Sequence, residues 1–356
     1  MMVTPWREFG AVGGREQLSA LHQSCLADLL GARLTVRRLE AAPPQGALGM
    51  LEALRGRIDG VTAGTERAIL DEIVAGGIDT LWLDGTNLGQ LAAAVGRAAP
   101  TVRVICFAHN VEARFFLGAL RHRPSPRALA ILAANFTAER SAVQASDRLL
   151  ALSERDARLF GRIYGRAATG LLPMAIDDPR TAPAPSAQPG CGLLFVGGSF
   201  YANLTGIRWF AREVAPRLMV TTRVVGRGFD AYRAELEAGG KIDVIGAADD
   251  LSPYYAATAA VIAPIFDGSG MKTKVAEALM YGKPVIGTRE AFSGYEAVVG
   301  KAGWVANSPD EWVRAIEAVS AAPRPGIDPQ LRALFDRYYS RAALSAGIFT
   351  ILGDGN

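Results

Sequence analysis

Cysteine is nearly absent. The three present, Cys25, Cys106 and Cys191, stand far apart with no CxxC spacing, so neither a disulfide framework nor a structural zinc site is indicated and a reducing compartment fits best. Charge of one sign is lacking too: 38 Lys and Arg against 35 Asp and Glu leave only +3. A chain built to neutralise nucleic-acid phosphates carries more. Long apolar runs are missing, since Tyr254 to Phe266, among the longest, falls short of the roughly 18 to 20 residues that span a membrane. The N-terminus, MMVTPWREFGAVGGREQ, has no apolar stretch of signal-peptide length after a basic start, and a cytoplasmic protein is expected. There is no DxD motif and no His/Cys/Asp cluster with metal spacing, so neither a cofactor nor an obligatory metal is expected.

Apolar material is plentiful. With 50% hydrophobic and 21% charged residues, the chain can bury two cores at the usual roughly 100 to 200 residues per domain. Short β-type runs alternate with helix-compatible stretches, the pattern of an α/β protein with parallel sheets. Strands are expected at Leu34–Leu39, Thr80–Leu83, Val102–Phe107 and Arg148–Leu152, with a short first strand within Met1–Pro5. Prolines and small residues replace hydrophobic periodicity between Leu172 and Gly192, a linker composition. A second series follows at Gly192–Val196, Arg223–Val225, Ile242–Ile245, Ala260–Pro264, Val285–Gly287 and Gly303–Ala306. The expected division is 1–172, a linker 173–191, 192–330, and a last helix over 331–356 that can pack back across either domain.

Ala260 to Thr288, AVIAPIFDGSGMKTKVAEALMYGKPVIGT, is the most informative stretch. A buried strand ends at Pro264, a turn Asp267-Gly268-Ser269-Gly270 follows, and Met271 to Tyr281 has helical spacing. Bare N–H groups at a helix N-terminus favour phosphate, and Lys272 and Lys274 add positive charge there. Glu277, one to two turns further in, can accept from a ribose diol. The plainer reading is a tight turn, two solvated lysines, and Glu277 paired with one of them.

These residues resemble a known family. GSGMKTKVAEALMYGKPVIGT is similar to the donor-binding segment of GT-B glycosyltransferases of the family 4 type. LLFVGGSFYANLTGIRWF from Leu193, with its glycine turn Gly197-Gly198, resembles the opening of that family's second domain. Val224 to Gly228, Val244-Ile245-Gly246 and Asp250 to Tyr255 follow in the family's order, and Ser146 to Glu154 resembles the end of its first domain. The resemblance covers residues 10 to 350. It implies two Rossmann-like α/β/α domains facing across a cleft, and retaining transfer from a UDP- or GDP-linked sugar to a glycan or lipid-linked acceptor in polysaccharide or glycoconjugate assembly. It assigns Gly268, Ser269, Gly270, Met271 and Thr273, with Lys272, Lys274 and Arg227, to the donor phosphates. Glu277 falls on the ribose, and Val244 or Ile245 on the base. Two departures stand out: Ser269 replaces a Glu that many members place on the donor sugar, and Gly198 to Asn203 lacks the Arg and Lys that many use on the pyrophosphate.

In the first domain, Gly13-Gly14 resembles the family's glycine loop, although a plain turn also explains it. VICFAHNVEARFF, Val104 to Phe116, puts His109 just past a strand's carboxyl end, where ligands collect in open α/β sheets. The family has a His there beside the donor sugar, for hydrogen bonding and orientation; a histidine capping the next helix is the alternative. Glu112 is an acceptor-side carboxylate or a first-turn charge. Arg114, Arg121, Arg123 and Arg127 among Phe115, Phe116, Leu117 and Leu120 suit an anionic membrane surface at the inner face of the membrane, or a solvated helix edge. Other readings remain open: a non-catalytic nucleotide-sugar-binding protein, a sugar-nucleotide epimerase, and an oxidoreductase, because Gly226-Arg227-Gly228-Phe229-Asp230-Ala231 fits GxGxxA after a strand.

Overall fold

Strands that are apolar on both faces, separated by helices, form two parallel sheets in the computed structural model, which describes residues 1–6, 14–40, 43–178, 192–268, 270–321 and 326–353. The chain divides into two compact units, 1–173 with 344–356, and 174–343.

In the first unit, β1 (Met2–Trp6), β2 (Val36–Glu40), β3 (Thr80–Asp84), β4 (Arg103–Ala108), β5 (Arg148–Ala151) and β6 (Gly170–Leu171) make one sheet in the order β2-β1-β3-β4-β5-β6. The helices are α1 (Gly14–Leu30), α2 (Gly46–Leu54), α3 (Ala63–Gly76), α4 (Gly89–Ala98), α5 (Glu112–His122), α6 (Pro126–Ala145) and α7 (Glu154–Tyr164). Parallel strands covered on both faces read as unbroken hydrophobic runs. Val104 to Ala108 shows this, every side chain being buried. The chain crosses from β1 outward to β2 and then back to β3, so the topological switch point, where open α/β sheets bind ligands, lies between β1 and β3.

The second unit repeats the plan. Its strands are β7 (Gly192–Val196), β8 (Thr222–Val225), β9 (Ile242–Gly246), β10 (Thr258–Ala263), β11 (Val285–Gly287) and β12 (Gly303–Val305), in the order β12-β11-β10-β7-β8-β9. Its helices are α8 (Tyr201–Glu213), α9 (Arg233–Glu237), α10 (Ser252–Ala256), α11 (Thr273–Met280), α12 (Pro309–Ala321) and α13 (Pro329–Tyr338). The switch point lies between β7 and β10. The glycine turn after β7 and the Asp267-Gly268 turn after β10 therefore emerge side by side.

The last segment is two helices where one was expected. The chain stops being helical at Tyr339 (φ −129°, ψ 6°), whose carbonyl accepts from the Ile176 N–H at 2.9 Å, and Ser340 bridges Ile176. Helix α14 (Arg341–Gly353) then begins, and from Leu344 it belongs to the first unit, where the Arg103 guanidinium donates to the Ile351 and Leu352 carbonyls. Most of the expected linker, 179–191 with Cys191, lies outside the described residues. Among the described residues no helix is long and apolar enough to cross a membrane.

Candidate functional site

In the second unit, the chemistry gathers at the start of α11. Lys272 is its N-cap in extended conformation (φ −96°, ψ 110°); its carbonyl accepts from the Val275 N–H at 3.0 Å but its side chain caps none of the first-turn amides, and the helix starts at Thr273, two residues later than expected. There is no acid in that turn. Two lysines sit instead at the positive end of the helix dipole, where cations are unfavourable. Both are buried. The Lys272 ammonium donates to the Gly270 carbonyl at 2.7 Å and pairs with Glu290 at 3.3 Å. The Lys274 ammonium donates to Asn203 Oδ1 at 3.0 Å and lies 5.2 Å from the centre of the Phe195 ring. Burial, with the Lys272 charge acting in the same direction, lowers the Lys274 pKa to about 8.

Asn203 ties this end of α11 to the turn after β7, because its side-chain amide also donates to the Gly198 carbonyl at 2.7 Å. Lys274 thereby brings a cation to the Gly198–Asn203 turn, which has none of its own. Glu277 follows one turn on. Its Oε2 accepts from the Tyr255 hydroxyl at 3.0 Å, and Tyr255 stacks on Tyr281 at 4.3 Å. Burial raises the Glu277 carboxyl pKa. Met271 is packed away, its sulfur accepting from the Met174 N–H at 3.4 Å. Arg227 is exposed, and its carbonyl accepts from the Ser199 N–H at 3.0 Å. Gly268 lies in this loop with φ 130°; Ser269 lies outside the described residues.

At β9, the Val244 N–H goes to Glu237 at 2.9 Å and its carbonyl to Arg233. Val244 is thus committed within the unit, while Ile245 sits at a register shift beside it. The glycines of the GxGxxA stretch have a structural duty. A Cβ on Gly226 would lie 1.7 Å from the Gly197 carbonyl oxygen, and one on Gly228 2.2 Å from the Ser199 hydroxyl. Gly226 lets two strand-end turns pack backbone to backbone, Gly228 leaves room for the Ser199 side chain, and a 3-10 turn, Phe229–Tyr232, follows in place of a long phosphate-facing helix.

In the first unit, a second polar cluster sits at the β1/β3 switch point. Asp84, ending β3, accepts from the Thr4 hydroxyl at 2.7 Å and pairs through Oδ1 with His109 Nε2 at 2.8 Å. Burial opposes the charge on Asp84, but His109 and the Thr4 hydroxyl outweigh it and hold the carboxyl well below its usual range. With Asp84 ionised, Nε2 carries the proton. His109 Nδ1 is buried without a hydrogen-bond partner. Behind it His22 packs edge-on to Phe107 at 4.2 Å, and burial lowers its pKa to about 3, so it is neutral.

His109 does not cap α5. Glu139, from α6, does so: its carboxylate accepts from the Glu112 and Ala113 N–H groups at 2.8 and 3.0 Å and from the Tyr164 hydroxyl at 2.6 Å. Burial and the neighbouring Glu112 raise its pKa to about 7. Glu112 is buried and pairs with Arg15 at 3.5 Å, and Arg15 reaches Asn87 Oδ1 at 3.0 Å. Gly14 is the first residue of α1; Gly13 lies outside the described residues. Arg121, Arg123 and Arg127 are exposed and Arg114 is half-buried.

The structure thus joins Lys272, Lys274 and Glu277 to the glycine turns in one unit and gives His109 a carboxylate partner in the other. The sequence reading missed Asp84, Arg15, Glu139 and the linking role of Asn203. An acid closing the apolar run TLWLD was the available signal for Asp84.

Residues 190–321 match the family model of group 1 glycosyl transferases. Three solved structures are similar over nearly their whole length. The sucrose-phosphate synthase of Thermosynechococcus elongatus is 14% identical with a TM-score of 0.70, covering 99% of this chain and 98% of that one. The Anabaena HepE protein is 15% identical with a TM-score of 0.65 and the same coverage. The lipopolysaccharide outer core galactosyltransferase WaaB is 14% identical with a TM-score of 0.62, covering 100% and 99%. Among curated protein sequences none matches. The chain has the GT-B fold, two Rossmann-like α/β units.

Proposed function

We propose that this protein is a retaining glycosyltransferase that moves a sugar from a UDP- or GDP-linked donor to a glycan or lipid-linked acceptor, in the cytoplasm, in polysaccharide or glycoconjugate assembly. The observation that carries the reading is the pair of buried lysines at the uncapped N-terminus of α11, beside the glycine turn at the β7/β10 switch point. Two ammonium groups at the positive end of a helix dipole are favoured beside an anion, and a diphosphate is the anion that they and the first-turn amides suit.

Cleaving the sugar–phosphate bond leaves negative charge on the departing diphosphate while the anomeric carbon becomes oxocarbenium-like. Preorganised amides and ammonium groups then stabilise the transition state more than the ground state. Glu277, held by Tyr255, takes the ribose diol, and Ile245 meets the base. His109, oriented by Asp84, hydrogen-bonds the sugar. The lysines supply the charge at the phosphates, so no obligatory metal is part of this mechanism. The HepE protein has been solved with UDP and with UDP-glucose, which supports a uracil nucleotide as the first donor to try.

A thermal-shift screen of UDP- and GDP-sugars tests the reading, because a ligand that binds only the folded state raises its apparent stability by mass action. A rise with one donor class, followed by donor turnover with the same anomeric configuration in the product, is expected. No shift with any donor would overturn the reading, and a shift without turnover on any acceptor would favour a non-catalytic binding protein.

A further inference from the structure

Helix α2 is an oddity of the first unit. Its sequence, GALGMLEAL, is apolar almost throughout, yet Ala53 alone is buried, while Leu48 is 77% exposed and Met50, Leu51 and Leu54 are 46%, 45% and 40% exposed. A surface helix ordinarily turns its apolar stripe inward, and a nine-residue helix is marginal in water without such packing. Both α2 and α5 pack on α6. That layer exposes further large apolar side chains: Leu117 on α5, and Leu129, Ile131 and Phe136 on α6.

Between the buried acids Glu112 of α5 and Glu139 of α6, the charge of these two helices has one sign. From Ala113 to Ala138 the charged residues are Arg114, Arg121, Arg123 and Arg127, with no Asp or Glu. The acid of α2, Glu52, is bridged by Arg55 at 2.8 Å and Arg57 at 2.6 Å. We propose that the α2, α5 and α6 layer is a docking surface for an anionic lipid bilayer, with the α2 leucines entering the acyl boundary and the arginines of the α5–α6 connection at the headgroups. Apolar side chains flanked by cations are what such an interface selects. A second copy of the chain fits less well, since a two-fold contact would set the same arginines against each other. The inference does not depend on the transferase reading, because it is read without donor or acceptor.

The test is co-sedimentation of the full chain with vesicles of phosphatidylcholine and phosphatidylglycerol, and with vesicles of phosphatidylcholine alone. Binding to the anionic vesicles is expected, weakening as salt is raised. Replacing Arg121, Arg123 and Arg127 by Gln lowers it about a hundredfold, at about fivefold per arginine near the surface. Leu48→Ser with Leu51→Ser lowers it by more than about tenfold, the loss of two buried apolar side chains, with the thermal midpoint and nucleotide-sugar binding unchanged. Failure to bind anionic vesicles, or binding indifferent to both variants, would overturn the proposal. So would a lipid-free dimer in sedimentation equilibrium that the leucine variant abolishes, which would assign the surface to a second copy.

Discussion

Lys274 gives the sharpest handle on the phosphate site. In the folded, ligand-free protein its pKa is about 8 against an ordinary 10.5. That difference corresponds to about 3 kcal/mol of disfavour for the charged form. The folded state therefore binds fewer protons than the unfolded chain between pH 8 and 10, and stability rises with pH across that window, levelling off below it. Lys274→Met, nearly isosteric and neutral, should lose this rise and be more stable at neutral pH, offset by the lost hydrogen bond to Asn203. Ligand binding should have the opposite slope. A nucleoside diphosphate needs the ammonium, so its affinity falls about tenfold per pH step of one above about 8, and binding there takes up about one proton. Calorimetry of nucleoside diphosphate in two buffers of different ionisation enthalpy reads both quantities. An affinity independent of pH from about 7.5 to about 9.5, with no proton uptake and no effect of Lys274→Met, would refute the assignment of Lys274 to the phosphate.

Three other outcomes are expected. Asp84→Asn frees the His109 ring from its carboxylate and should lower kcat about ten- to a hundredfold, the worth of one hydrogen bond to a charged group, with KM little changed; with three histidines in the chain, nitrogen NMR can follow the His109 tautomer directly. Glu277→Ala should weaken nucleotide-sugar binding about ten- to a hundredfold while leaving binding of inorganic pyrophosphate intact, as competition titrations would show. Removing divalent metal with a chelator should leave turnover unchanged; a loss restored by magnesium or manganese would mean that the two lysines do not suffice.

Much of the fold was legible because parallel strands are short apolar runs bracketed by glycine, proline or charge. Gly192–Val196 and Val285–Gly287 have the bounds that the sequence suggested, and most other strands differ by a residue or two at an end. The two-residue strand Gly170–Leu171 was not legible, since its pairing with Leu150 and Ala151 leaves no local pattern. Nor was the break at Tyr339, which depends on a backbone bond to Ile176 far earlier in the chain. The same limit governed the sites. Lys272, Lys274 and Glu277 share one loop and helix and could be read together. Asp84 meets Thr4 and His109, and Asn203 meets Lys274, across long sequence separations, and only the sheet order brings them into reach.

The central claim is that a donor diphosphate binds at the start of α11. A crystal structure with a bound nucleoside diphosphate tests it most directly. The account predicts phosphate oxygens within hydrogen-bonding distance of the Lys272 and Lys274 ammonium groups and the first-turn amides of α11, with Glu277 on the ribose. A nucleotide seated elsewhere, for instance along the Gly226–Gly228 turn with both lysines still bonded to Gly270, Glu290 and Asn203, would contradict it.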